Sequence, residues 1–455
     1  MLIRLVVNNI TSFGAEREFN MLPMPRLRTL KEHKYNIDNF DILKMASIYG
    51  ANGSGKSNLV KSIYLLQQLV TEDQTSNRFA ELEFKFKGND LQIPQVLVVE
   101  FFQDNKAFIY GIEILNNIII TEELYLSGLD KGDSQLIFER KTDVNTKKTI
   151  ITSPLLEKDK ESQVLKSVIE KSLCKHNKTI LKLLTTLENE HLDDVNIALD
   201  WFENTLEIVT PDAKPQALAH TIDTDANFKD YANDMMKSFH IGISDIVSDK
   251  KTIKEFFGED DIDKLNKFID KLDESPKKII SLMGNNGDEI VITKEEKEYY
   301  VKKLQIEHTG LNNKKAMFNL EEESDGTVRL LDLAPAFQDI VHKQKVYIID
   351  EIERSIHPLL IKELIKKFSE DNKTNGQLIF TTHESNLLDQ NIFRQDEIWF
   401  AEKDKNGSTD LYSLSDFKEH NTIDIRKGYL SGRYGSIPFL ANLKDLNWHQ
   451  YDIKK

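Results

Sequence analysis

Eight consecutive residues, Gly50-Ala51-Asn52-Gly53-Ser54-Gly55-Lys56-Ser57, fit the pattern G-x-x-x-x-G-K-[ST] without deviation. Glycine lets a backbone curl so that successive N–H groups point inward, an arrangement that holds phosphate oxygens. Lys56 is expected to reach the β- and γ-phosphates of a nucleotide, and the Ser57 hydroxyl to ligate Mg²⁺. The context agrees. Lys44–Tyr49 reads as a strand running into the loop, and Leu59, Val60, Ile63, Leu66 and Val70 follow it at helical spacing. A glycine-rich turn beside a surface lysine is the plain alternative.

A second chemical signal lies far along the chain. Val346-Tyr347-Ile348-Ile349-Asp350-Glu351 is four apolar residues followed by two acids. Buried parallel strands have this composition, and α/β proteins bind ligands at the carboxyl ends of such strands. Asp350 is expected to hold Mg²⁺, directly or through water. Glu351, one residue on, points elsewhere and could polarise an attacking water. Taken alone, the segment could equally be a core strand ending in a polar loop.

The elements around these residues divide the chain in three. Residues 1–153 read as strands around the glycine loop, with a β-subdomain at 80–150. Gln103-Asp104-Asn105-Lys106 and Asn116-Asn117 are expected to turn its hairpins. Residues 154–285 read as a helical insertion without a sustained heptad; Phe257-Gly258-Glu259-Asp260-Asp261 within it reads as a solvated loop. Residues 286–455 return to strands and then alternate strand with helix, the pattern of a parallel α/β sheet. Near the end, Trp399–Glu402 and Asp410–Leu414 read as a hairpin around Asn406-Gly407. Arg426-Lys427-Gly428-Tyr429 and Gly432-Arg433-Tyr434-Gly435 read either as a partner or nucleic-acid contact or as a packed loop.

Composition narrows the functions. The chain has 455 residues, enough for two or three cores, and a formal net charge of −15. That charge argues against a mainly electrostatic grip on DNA, although a local basic groove stays open. One cysteine, Cys174, excludes a disulfide framework and a cysteine-based zinc site. No apolar run is long enough to span a membrane and the first residues do not read as a signal peptide, so a cytoplasmic protein is expected. Serine, cysteine and zinc-hydrolase motifs are absent from the sequence.

The wide separation of Lys56 from Asp350, with Asn52 and Asn58 flanking the glycines and lysine, resembles the SMC, RecF and OLD branch of ABC-type ATPases. There the form G-x-N-G-S-G-K-S-N sits near the N-terminus and the acidic strand near the C-terminus. The resemblance covers residues 1–150 and 290–440. It implies an α/β P-loop NTPase head with an antiparallel β-subdomain, ATP and Mg²⁺ as cofactors, and a homodimer or higher homo-oligomer that sandwiches two ATPs. It also implies that His383, after Gln377–Phe380 and Thr381-Thr382, is the switch histidine sensing the γ-phosphate.

Glu323-Ser324-Asp325-Gly326-Thr327 occupies the place of the family's signature helix, so Ser324 and Gly326 would contact the nucleotide of the other protomer. The L-S-G-G-Q pattern of transporters is absent, and an N-capped surface helix is the plain alternative. Ser355-Ile356-His357 resembles the short loop that crosses the dimer interface. The form E-S-x-G-T before D-E-I-E-R-S-I-H-P resembles a narrower group, the stand-alone ATPases of bacterial anti-phage systems of the AbiL, RloA, Septu and PARIS type. That resemblance implies an ATPase working beside a separate effector protein, a nuclease or toxin. Two rivals remain: a DNA-repair or recombination ATPase acting on DNA itself, and a scaffold that binds ATP without turnover. The built-in metal nuclease of OLD proteins is not expected, because no D-x-D pair follows His383.

Overall fold

The computed structural model describes residues 1–437 apart from 38–39, 73–74, 89–91, 130–131, 188–191, 259–268, 270–271, 273–277, 285–288, 297 and 418–422. The acidic positions Glu259, Asp260 and Asp261 fall outside the described residues.

A six-stranded sheet carries the chemistry. Its strands lie in the order Leu206–Val209, Val346–Ile349, Gln377–Thr382, Met45–Tyr49, Ile398–Lys403 and Thr409–Ser413. The first five run parallel, and the last closes the hairpin at Asn406-Gly407 in the antiparallel sense. Every residue of its three central strands is buried, which accounts for the unbroken apolar run Val346–Ile349. Ala46, Ile48, Val346 and Ile348 join one apolar core, while Met45, Tyr49, Tyr347 and Ile349 join the other. The helix Lys56–Thr71 leaves the strand Met45–Tyr49 through the glycine loop and lays Leu59, Val60, Ile63, Leu66 and Val70 into the first core.

Beside it stands a seven-stranded antiparallel sheet, ordered Thr149–Thr152, Gln135–Thr142, Ile118–Leu126, Lys106–Leu115, Gln95–Gln103, Leu2–Asn8 and Arg17–Asn20. Its tight turns fall where asparagine tolerates left-handed backbone: Asp104 and Asn105 have φ of 47° and 62°, Asn116 and Asn117 of 50° and 64°. The β-subdomain therefore reaches beyond residues 80–150, because the two opening strands pair with it. Gln377 ties the two sheets together. Its side chain accepts from Leu2 N–H at 2.6 Å and donates to Leu43 C=O at 2.9 Å.

Residues 154–285 are not helical throughout. Leu206–Val209 enters the parallel sheet beside Val346–Ile349, and Ile243–Thr252 and Ile279–Met283 belong to a third, five-stranded sheet with Glu289–Glu295, Glu298–Thr309 and Lys315–Asn319. The strand Leu206–Val209 is only four residues long and follows a helix directly, so no alternation marks it. Tertiary contacts place it: Gln67 of the loop helix donates to the carbonyls of Phe202 and Leu206, both at 2.8 Å. Trp201, fully buried, stacks on Phe101 with ring centroids 4.3 Å apart and so anchors the approach to this strand.

Two stability predictions follow from this packing. Trp201→Ala empties a closed site between the two sheets and is expected to lower unfolding free energy by about 3–5 kcal/mol in denaturant titration. Burial pushes the Asp332 carboxyl, on the helix Asp325–His342, up to about 6 from 3.8. The raised folded pKa means that its contribution is present below pH 3.8 and lost as pH rises through about 6. Asp332→Asn is expected to raise stability at pH 8 by on the order of 1–3 kcal/mol and to leave it unchanged near pH 3.5.

Candidate nucleotide site

The glycine loop is held from beneath. Gly55 has φ of +111°, and a Cβ there would lie 2.1 Å from Thr409 Oγ1 and 2.7 Å from Ser12 Oγ. Only glycine fits both the backbone and the gap. Thr409 Oγ1 lies 2.8 Å from both the Ser54 carbonyl and Ser12 Oγ, so the hairpin after Ile398–Lys403 fixes the loop's floor. Within the loop, Ser54 N–H bonds to Ala51 C=O, and the N–H groups of Asn58 and Leu59 bond to Gly55 C=O. Among the described residues this leaves the N–H groups of Gly53, Gly55, Lys56 and Ser57 without a backbone acceptor at the positive end of a 16-residue helix. Asn52 and Gly53 form the exposed tip, and Ser54 Oγ is enclosed without a hydrogen-bond partner. Donors without an acceptor, with an orphaned hydroxyl beside them, are what a phosphate group satisfies.

Lys56 is buried, with Nζ 2.7 Å from the Gly50 carbonyl, 3.2 Å from the Ala51 carbonyl and 3.3 Å from His383 Nδ1. Burial pulls its ammonium down to about 8, opposed by the charges of Glu353, Asp350 and Glu351. Parallel pairing brings the three strand ends side by side and sets Ser57, Asp350 and His383 around the lysine. Ser57 Oγ donates to Asp350 Oδ1 at 3.1 Å. This hydroxyl and carboxylate fit Mg²⁺, which keeps several waters and shares substrate phosphates rather than using an all-protein cage. His383 stays partly open to solvent; packing against the loop and then the Lys56 charge hold its imidazole below 6.5.

Two residues at the site were not anticipated from sequence. Thr381 donates to Asp350 Oδ1 at 2.5 Å and accepts the Glu351 N–H at 2.8 Å, locking the acidic strand to the histidine strand. Glu353 Oε1 accepts the His383 backbone N–H at 2.5 Å. The only signal for Glu353 was a second glutamate in Asp350-Glu351-Ile352-Glu353. The turn that carries it is strained: Glu351 and Ser355 both sit in left-handed backbone, with φ of 52° and 61°.

Ser324 and Gly326 stand apart from this cluster. Ser324 caps the helix Asp325–His342, its Oγ accepting Thr327 N–H at 3.2 Å. A Cβ on Gly326 would meet the Ser355 carbonyl at 2.6 Å, so the capped helix packs against the loop after the acids. No hydrogen bond joins either residue to the glycine loop of the same chain among the described residues. In the C-terminal segment, Tyr429 and Tyr434 are buried, each with its ring centroid 5.8 Å from that of Phe400, so both tyrosines serve packing. Among the described residues no helix is long and apolar enough to cross a membrane, and no group of three His, Cys, Asp or Glu is arranged to hold a metal ion.

Thr381→Val keeps the volume but removes both bonds of the hydroxyl. It is expected to cost about 1–3 kcal/mol of stability, because the Glu351 N–H loses its acceptor. Denaturant melts of wild type and variant check this.

The sequence matches the family model described as "AAA domain, putative AbiEii toxin, Type IV TA system" over residues 45–173 and 184–389. No curated protein matches it. Solved structures with a similar fold include the SMC head domain from Thermotoga maritima, 12% identical, TM-score 0.40, covering 90% of this chain and 98% of that one. An Smc head bound to the C-winged helix domain of ScpA is 13% identical, TM-score 0.42, covering 92% and 99%. An Smc head with an extended coiled coil, bound to the C-terminal domain of ScpA and derived from Pyrococcus furiosus, is 12% identical, TM-score 0.42, covering 95% and 99%. The family match spans more than half of the chain and takes in the glycine loop, the acidic strand and His383, and the protein belongs to this AAA-domain family of P-loop ATPases.

Proposed function

We propose that the protein hydrolyses ATP with Mg²⁺ and uses the cycle as a switch that controls a separate effector protein in anti-phage defence. The observation that carries the ATPase reading is the convergence of Lys56, Ser57, Asp350 and His383 at one sheet edge, beside a loop with N–H groups that have no backbone acceptor. ATP phosphates would replace the Gly50 and Ala51 carbonyls as partners of Lys56. Mg²⁺ bound by Ser57 and Asp350 would neutralise developing charge on the β- and γ-oxygens. Glu351 would accept a proton from the attacking water, and His383 would hydrogen-bond the γ-phosphate.

Among the described residues Ser324 and Gly326 make no hydrogen bond to their own loop, which fits a role in which they face the nucleotide of a second copy. The ATP-bound state would then be a dimer with two nucleotides between the chains, and hydrolysis would separate it. The defence setting rests on the motif resemblance and is supported by the family's description, which names a putative toxin and a type IV toxin–antitoxin system. The −15 net charge favours a protein partner over nucleic acid.

Glu351→Gln is expected to bind ATP with wild-type affinity, to lose turnover at least a hundredfold, and to accumulate as an ATP-bound dimer in light scattering. Lys56→Ala is expected to lose nucleotide binding and to stay in its nucleotide-free assembly. Unchanged turnover in Glu351→Gln would remove that residue as the base. Wild-type turnover is expected to be indifferent to duplex DNA, single-stranded DNA and RNA; several-fold stimulation by any of them would move the partner from protein to nucleic acid.

A further inference from the structure

Glu353 has no part in the reaction as described above, yet the fold builds a place for it. The turn after Asp350 folds back on itself, with Arg354 N–H donating to Glu351 C=O at 3.0 Å and Ile356 N–H to Glu353 C=O at 2.9 Å. This returns the Glu353 side chain to the end of the histidine strand, where Oε1 accepts the backbone N–H of His383. Oε2 is enclosed and accepts no hydrogen bond. An enclosed carboxylate oxygen without a donor is costly unless a cation compensates it. The cations at hand are Lys56 and, when protonated, His383, themselves 3.3 Å apart. The Glu353 charge opposes the lowering of both the Lys56 ammonium and the His383 imidazole.

We propose that Glu353 is a positioning residue with two roles: its Oε1 tethers the backbone of His383, and its charge is the counter-ion of Lys56 until the phosphates of ATP take that place. The proposal rests on the ATPase reading above. It has a distinctive consequence, because the two roles oppose each other. A carboxylate whose charge reaches the lysine resists an incoming polyanion of the same sign, so its charge weakens ATP binding. The tether holds the histidine where the γ-phosphate arrives, so its loss slows turnover.

Two substitutions separate the roles. Glu353→Gln keeps an oxygen for the His383 N–H and nearly the same shape while removing the charge. Glu353→Ala removes both. The experiment uses the full chain as wild type, Glu353→Gln, Glu353→Ala and Lys56→Ala. Affinity for a fluorescent ATP analogue is measured in EDTA, and kcat and KM for ATP are measured with Mg²⁺; thermal melts establish that each variant is folded.

Glu353→Gln is expected to bind the analogue roughly three- to tenfold more tightly than wild type and to keep kcat within about threefold. Glu353→Ala is expected to bind at least as tightly as Glu353→Gln and to lose kcat about tenfold or more, so that Gln rescues turnover where Ala does not. Equal affinity of wild type and Glu353→Gln would overturn the counter-ion role, and full kcat in Glu353→Ala would overturn the tether. Loss of turnover in Glu353→Gln with binding intact would make Glu353 the base instead of a positioning residue. A wild-type protein whose binding of the analogue is no better than that of Lys56→Ala would sink the ATPase reading itself. That result is distinct from the others, which all presuppose a wild type that binds.

Discussion

Parallel pairing of three strands drawn from opposite ends of the chain is the constraint on which the site depends. Met45–Tyr49 lies next to Gln377–Thr382, which lies next to Val346–Ile349, and the register aligns Tyr49 with Thr382 and Phe380 with Ile349. Each strand then delivers its candidate site residue just past its carboxyl end: the glycine loop and Lys56, His383, and Asp350. Parallel strands need crossovers, so everything between residues 50 and 346 must leave the sheet and return without disturbing that edge. Leu206–Val209 is where the intervening chain comes back, pairing with the acidic strand on its outer side. The sheet tolerates so long an excursion because loop closure grows slowly with length while burial on both faces fixes register strongly.

Local chemistry refines what the sheet brings together. The Thr381 hydroxyl binds Asp350 and the Glu351 N–H at once, so the acidic turn and the histidine strand move as one piece. Thr409 and Ser12 support the glycine loop from below, which is why Gly55 cannot carry a side chain. Two left-handed residues, Glu351 and Ser355, bracket the turn. A bulky residue holds such a backbone only when its surroundings over-determine it, and here the hydrogen bonds to Thr381 and within the turn do so. Lys56 in turn rests on loop carbonyls and on His383, partners that a phosphate would outcompete because it carries full negative charge.

Much of this was legible because the loop chemistry demands particular residue types. Gly50, Gly55, Lys56 and Ser57 have few substitutes at their spacing, and the apolar run into Asp350 is the composition of a strand buried on both sides. The Asn116-Asn117 turn and the Asn406-Gly407 hairpin were readable for the same reason: left-handed backbone selects few residues. What stayed hidden depends on partners distant in sequence. Leu206–Val209 is four residues with no alternation, and only the Gln67 side chain and the neighbouring strand make it a sheet element. Leu2–Val7 reads as a strand in isolation, but nothing in it tells which sheet it joins. Glu353 and Thr381 are ordinary residues until the fold-back of one turn and the pairing of two strands bring them against His383 and Asp350.

The central claim, that one sheet edge assembles an ATP site from Lys56, Ser57, Asp350 and His383, is tested most directly by an experimental structure with Mg²⁺ and a non-hydrolysable ATP analogue. The account requires Lys56 Nζ to leave the Gly50 and Ala51 carbonyls for the phosphates, with Ser57 and Asp350 at the ion and His383 facing the γ-phosphate. A nucleotide bound elsewhere, or a loop whose lysine still rests on its own carbonyls beside the analogue, would contradict it.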